Sequence, residues 1–169
     1  MLTLRCTQKL LKRVPAGFVE APEPSTTLLG DWYANILFSQ PQLILCVSER
    51  TLLPVVVSAK DIRAFPQRLR LALHELLIHL GAPTQLADRE VSEMEETQFA
   101  RTTNRRLLGS INEFMFHLAD DVCEDPGLPL LQRSIRLAEM PCGPVGYKFP
   151  TNVTLDLLRS ASGSFHGTH

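Results

Sequence analysis

The stretch Gln42-Leu43-Ile44-Leu45-Cys46-Val47-Ser48-Glu49-Arg50-Thr51-Leu52-Leu53-Pro54-Val55-Val56-Val57-Ser58 decides the fold. Two short apolar runs flank a polar turn at Glu49-Arg50-Thr51, the pattern of two strands joined by a tight connection. A strand with one face in water alternates apolar and polar side chains, but Leu43-Ile44-Leu45-Cys46-Val47 is apolar at every position. Both runs are therefore expected near the centre of a sheet with cover on each side, and that cover calls for helices.

Working back from these strands, Pro41 breaks the chain and strand periodicity runs from Trp32 to Phe38. The loop before it contains Pro22 and Pro24, and the Leu2-Thr3-Leu4-Arg5-Cys6 alternation reads as a strand entering one or two helical turns that Pro15 and Gly17 stop. Downstream, Ile62, Phe65, Leu69, Leu73, Leu76, Leu77 and Leu80 recur at helical spacing, with Pro66 in the first turn and Gly81 and Pro83 closing the end. Thr84 starts another helix, carrying Glu90, Glu93, Glu95 and Glu96 on what reads as a solvated acidic face, and Gln98-Phe99-Ala100-Arg101 returns to strand. From Thr103 or Asn104, an apolar stripe through Leu107, Leu108, Ile111, Phe114, Met115, Leu118 and Val122 marks a long amphipathic helix. Asp125-Pro126-Gly127 ends it, residues 128–138 suit a shorter helix, residues 140–147 form a rigid Pro/Gly loop, and residues 154–160 suit a last turn.

These elements fit one globular domain over residues 1–161 with a flexible tail at 162–169. No repeat of fixed period occurs, which argues against a solenoid. Consecutive strands with short connections predict an α+β fold: an antiparallel or mixed sheet of about four to five strands packed with several helices, rather than a Rossmann-type arrangement.

The chain has 169 residues, enough for an ordinary core without a disulfide or metal staple. Seventeen Lys and Arg against 18 Asp and Glu leave no global field to gather nucleic acid or an anionic membrane. Cys6, Cys46, Cys123 and Cys142 are too scattered for a zinc site and read as free thiols of a reducing cytoplasm. No run approaches the roughly 18 apolar residues of a membrane helix. His74, His79 and His117 lack metal spacing, no nucleotide-binding or hydrolase signature occurs, and neither metal nor cofactor is implied.

Polar chemistry gathers instead at Arg101-Thr102-Thr103-Asn104-Arg105-Arg106-Leu107-Leu108-Gly109-Ser110-Ile111-Asn112-Glu113. Thr103 or Asn104 can cap the helix; the same open N–H groups, with the helix dipole and Arg101, Arg105 or Arg106, can also gather a phosphate or carboxylate. At about a hundred degrees per residue, Arg106, Ser110, Glu113 and His117 fall on one flank and Arg105, Asn112 and Phe116 on the other. The same step puts Asn104 in line with Ile111 and Leu118, on the buried side. Gly109 suits a close helix crossing. At the entry to the Trp32 strand, Asp31 serves as a turn residue, a base or an arginine partner, and Trp32 as a core aromatic or a stacking face. Cys6 lies near Arg5 and Lys9 but has no assignable histidine, so no cysteine mechanism is read.

The blocks Leu4-Arg5-Cys6-Thr7-Gln8-Lys9-Leu10-Leu11, Gly30-Asp31-Trp32-Tyr33-Ala34-Asn35, Ser48-Glu49-Arg50-Thr51-Leu52 and Thr103-Asn104-Arg105-Arg106-Leu107-Leu108-Gly109-Ser110-Ile111-Asn112, in this order, resemble an uncharacterised family of small bacterial proteins classed as a domain of unknown function. The resemblance runs from residue 1 to about 147 and includes Pro141-Cys142-Gly143-Pro144. In that family the helix entry looks like Asn-Arg-Ser followed by Leu-Gly-Ser-Met-Asn, from which Arg106 and Ile111 depart. It implies no activity, cofactor or catalytic residue.

The residues themselves point first to a noncatalytic cytoplasmic binding or regulatory module with an anion-binding helix N-terminus, recognising a phosphate-bearing ligand, nucleic acid or protein partner. Its ligand-binding candidates are Asp31, Trp32, Arg50, Thr103, Asn104, Arg105, Arg106, Ser110 and Asn112. A small hydrolase or nuclease using Asp31 or Glu113 as base with arginine charge stabilisation is the first alternative. A structural or homo-oligomerising protein with a large apolar patch is the second. No membrane partner is expected.

Overall fold

The computed structural model describes residues 1–163. Five strands, β1 (Leu2–Cys6), β2 (Trp32–Leu37), β3 (Leu43–Ser48), β4 (Pro54–Ser58) and β5 (Thr97–Arg101), form one sheet in the order β4-β3-β2-β1-β5. The sheet is mixed, as α+β patterning allows. β2, β3 and β4 make an antiparallel meander, whereas β1 runs parallel to both neighbours. The carboxyl ends of β1 and β5 therefore lie side by side, with Cys6 opposite Arg101.

The helices are α1 (Gln8–Leu11), α2 (Phe65–His79), α3 (Thr84–Ser92), α4 (Arg105–Glu124), α5 (Leu130–Ala138) and α6 (Pro150–Gly163). Strand alternation splits the core in two. Leu2, Leu4, Trp32, Ile44, Cys46, Val55 and Val57 face the side where Leu69, Leu73 and Leu76 of α2, Leu86 of α3 and Leu158 of α6 pack. Tyr33, Leu43, Leu45, Val47 and Val56 face the other, against Leu107, Ile111, Phe114 and Leu118 of α4. The unbroken apolar runs of β3 and β4 thus have cover on both faces, as the sequence predicts.

The expected central position of β4 is corrected: it is an edge strand. Its burial comes from α2 and α5 packed beside it, and the Val56 N–H that would otherwise be unpaired donates to Ser134 Oγ of α5 at 2.9 Å. Pro54 opens the strand, a position where its missing N–H costs nothing in the ladder. On the opposite edge, Phe18 bridges Phe99 of β5, and the Val19 N–H donates to the Phe99 carbonyl at 2.7 Å.

Two further expectations change. Glu90 is not on a solvated face but is 1% exposed. The last helix is longer than the turn expected over residues 154–160 and extends through Ser162 and Gly163, the first two positions read as a tail. Residues 164–169 lie outside the described residues.

Candidate functional site

The β3–β4 turn and the start of α4 meet at the surface, 54 positions apart in sequence between Arg50 and Asn104. Local chemistry fixes each side. Asn104 has extended backbone, φ −92° and ψ 104°, and its side-chain oxygen accepts the Leu107 N–H at 3.1 Å. This is the N-cap reading, and Asn104 is exposed rather than turned to the core. A residue outside the helical dihedrals drops out of phase with the stripe behind it, which is why the hundred-degree projection misplaced it.

The turn is held by the loop before β2. The Glu49 N–H donates to the Asp31 carbonyl at 2.8 Å, the Arg50 N–H to the Leu29 carbonyl at 3.3 Å, and Arg50 Nη1 to the Leu28 carbonyl at 3.1 Å. Glu90 anchors the same loop from α3, its two carboxylate oxygens accepting the Leu28 and Leu29 N–H groups at 3.0 and 3.1 Å. Desolvation by burial pushes the Glu90 pKa up; the two backbone N–H groups pull it back, Glu93 adds to the rise and Arg50 opposes it.

Between turn and helix lies a depression of about 200 Å³ lined by Arg50, Asn104 and Arg106 together with Glu49, Leu52, Leu107, Pro144 and Val145. Three sequence candidates are thus brought together. The Pro/Gly loop, read only as rigid, supplies a wall through Pro144 and Val145 that no local signal connects to Arg50 or Arg106. Arg106 is exposed and makes no ion pair among the described residues.

The other candidates lie elsewhere. Asp31 is buried, with one carboxylate oxygen 2.8 Å from Arg5 Nε and the other accepting the Ser25 N–H at 3.1 Å. Arg5 also donates to the Arg101 carbonyl at 3.0 Å, so Asp31 acts here as a clamp on β1, β5 and the preceding loop. Trp32 is completely buried among the α2-side core residues, and its indole N–H has no acceptor among the described residues. Thr103 is exposed, with its hydroxyl 3.4 Å from that of Tyr33. Arg105, Asn112 and Glu113 are exposed on α4 and Ser110 is half-buried, none of them lining the depression. Gly109 has open space where a β-carbon would stand, so no close crossing explains it.

Arg101, Arg105 and Arg106, each read as a possible anion ligand at the helix start, do not line one site. Arg106 faces the depression, whereas the Arg101 guanidinium stacks over the Phe18 ring, 4.5 Å from its centroid, beside a separate cleft. Burial holds the Cys6 thiol at a pKa of about 12, consistent with a packed, protonated side chain. Among the described residues, no group of three or more His, Cys, Asp and Glu side chains is placed to hold a metal, and no helix is long and apolar enough to cross a membrane.

No curated protein and no solved structure matches the chain. A family model, that of the domain of unknown function DUF6933, matches residues 3–153, a span that takes in β1 from Thr3 onward, the other four strands, the depression and the first turn of α6. The chain belongs to the DUF6933 family.

Proposed function

We propose that this domain is a noncatalytic binding module whose recognition element is the depression at the mouth of α4, and that it takes a phosphate group carried on a larger ligand. The observation that supports this reading is the meeting of Arg50 and Arg106 beside the Asn104-capped helix start. The lining holds two arginines and a single carboxylate, Glu49, and the partial positive charge of the helix N-terminus adds to the excess. A guanidinium offers paired N–H donors that match two phosphate oxygens. At about 200 Å³ the depression is smaller than the roughly 300 Å³ at which small-molecule pockets begin, which suits one anionic group rather than a whole ligand.

The compartment we infer is the cytoplasm, in keeping with four free cysteines, three of them buried, and with the resemblance to small bacterial proteins. The test is a titration of the isotope-labelled chain with inorganic phosphate and with a nucleoside monophosphate. Saturable amide shifts are expected at Arg50 and across Arg105, Arg106 and Leu107. Arg106→Gln should weaken binding about tenfold, a loss of about 1.4 kcal/mol. Equal affinity in Arg106→Gln, or shifts only at other surfaces, would reject the reading.

A further inference from the structure

A second cleft, of about 510 Å³, opens where the parallel strands β1 and β5 end side by side. In open α/β sheets ligands bind beyond the carboxyl ends of the parallel strands, and the cleft occupies the corresponding place on the parallel pair β1 and β5. This volume falls within the range of small-molecule pockets, about 300 to 1,000 Å³. Its lining takes apolar side chains from Leu11 and Phe18, with Cys6 beside them; Lys12 and Arg101 supply positive charge; Gln8 and Thr102 supply neutral hydrogen-bonding groups. Among the described residues no Asp or Glu lines it, although acidic side chains slightly outnumber basic ones in the chain as a whole.

The two cations are also uncommitted. Neither Lys12 nor Arg101 forms an ion pair among the described residues. The Arg101 guanidinium lies over the Phe18 ring at 4.5 Å, a cation–π contact that satisfies its face and leaves the in-plane N–H edge available. Phe18 is itself fixed by its bridge to Phe99 at the outer edge of β5, so the stacked pair rests on the sheet. Cys6 is held protonated by burial and adds no opposing charge.

We propose that this cleft binds a small organic carboxylate with an apolar, preferably aromatic, body. The carboxylate meets the Arg101 edge and the Lys12 ammonium, while the body lies against Leu11 and Phe18. The site is separate from the depression at α4, and the two share no lining residue.

The test uses the full chain and three probes of one shape and different charge: naphthoate, naphthalenemethanol and naphthylmethylammonium. Calorimetric titration should give naphthoate an affinity about tenfold or more above the neutral alcohol, with the ammonium weakest. In the wild-type chain, naphthoate should shift the amides of Gln8, Leu11, Phe18 and Thr102. Lys12→Gln combined with Arg101→Gln should abolish the preference for naphthoate over the alcohol while the alcohol still binds. Wild-type shift mapping does not depend on how that variant folds. Equal affinity for naphthoate and the alcohol, no binding of any probe at millimolar concentration, or shifts confined to other surfaces would overturn the proposal.

Discussion

Gly30 lies directly against the stem of Arg50: a β-carbon on Gly30 would stand 3.1 Å from Arg50 Cγ and 3.4 Å from Glu49 Oε2. Gly30 also has φ +82°, a left-handed conformation that side-chain-bearing residues adopt at a cost of about 1–2 kcal/mol. Gly30→Ala is therefore expected to lower stability by about that amount. It should also move the Arg50 side chain, so phosphate binding at the α4 depression weakens even at temperatures where the variant is fully folded. Denaturant unfolding and phosphate titration measure the two effects separately.

Asn104 carries the cap of α4, and Asn104→Ala leaves the Leu107 N–H without its acceptor. A loss of about 1 kcal/mol is expected, while Asn104→Asp should keep the stability and, by adding negative charge, depress anion binding. Equal unfolding midpoints for wild type and Asn104→Ala would show that water replaces the cap.

Glu90 couples the loop at Leu28 and Leu29 to pH. Its folded pKa lies above the ordinary 4.5, chiefly through desolvation. A group whose pKa is raised on folding favours the folded state most below the unfolded value, and that contribution is lost as pH rises through the folded value. The stability difference between wild type and Glu90→Gln should therefore slope from pH 4.5 upward, with the wild type losing ground as its carboxylate ionises. Gln retains one acceptor for two N–H groups, so the variant is expected to be weaker throughout but flatter in this window. A difference that stays constant with pH would refute the assignment.

Thiol labelling should separate the cysteines sharply. Cys123 is exposed on α4, whereas burial raises Cys6 to about 12 and Cys142 to about 11 and pushes Cys46 well above 9.0. Because the thiolate is the reacting form, a single fast equivalent is expected at neutral pH, removed by Cys123→Ser; the remainder should appear only on unfolding.

Periodicity made burial legible and left neighbours illegible. Val55, Val56 and Val57 announce that both faces are covered, yet an edge strand screened by helices has the same signature as a central one. The parallel β1–β5 pairing joins residues about 95 positions apart, and no local pattern encodes it. Glu90 was readable: it follows Leu86 and Ala87 by four and three positions and precedes Met94 by four, all buried, so helical spacing places it inward despite its charge. The Arg50–Arg106 meeting was not, because it depends on how the meander turn reaches the start of α4. Asp31 was named from its turn position; its Arg5 and Ser25 partners emerge only once the loop before β2 is folded over the strand ends.

The Ser134 hydroxyl of α5, which accepts the Val56 N–H of β4, and the Phe18–Val19 segment, which pairs with Phe99 of β5, each cover part of an outer edge of the sheet. A strand that keeps bare N–H and C=O groups invites a further strand, whether from a peptide ligand, a second copy or a growing fibril. Here each flank of the sheet already spends backbone valence inside the chain. A strand added at either flank would have to displace one of these bonds, so both edges are poor templates for extending the ladder.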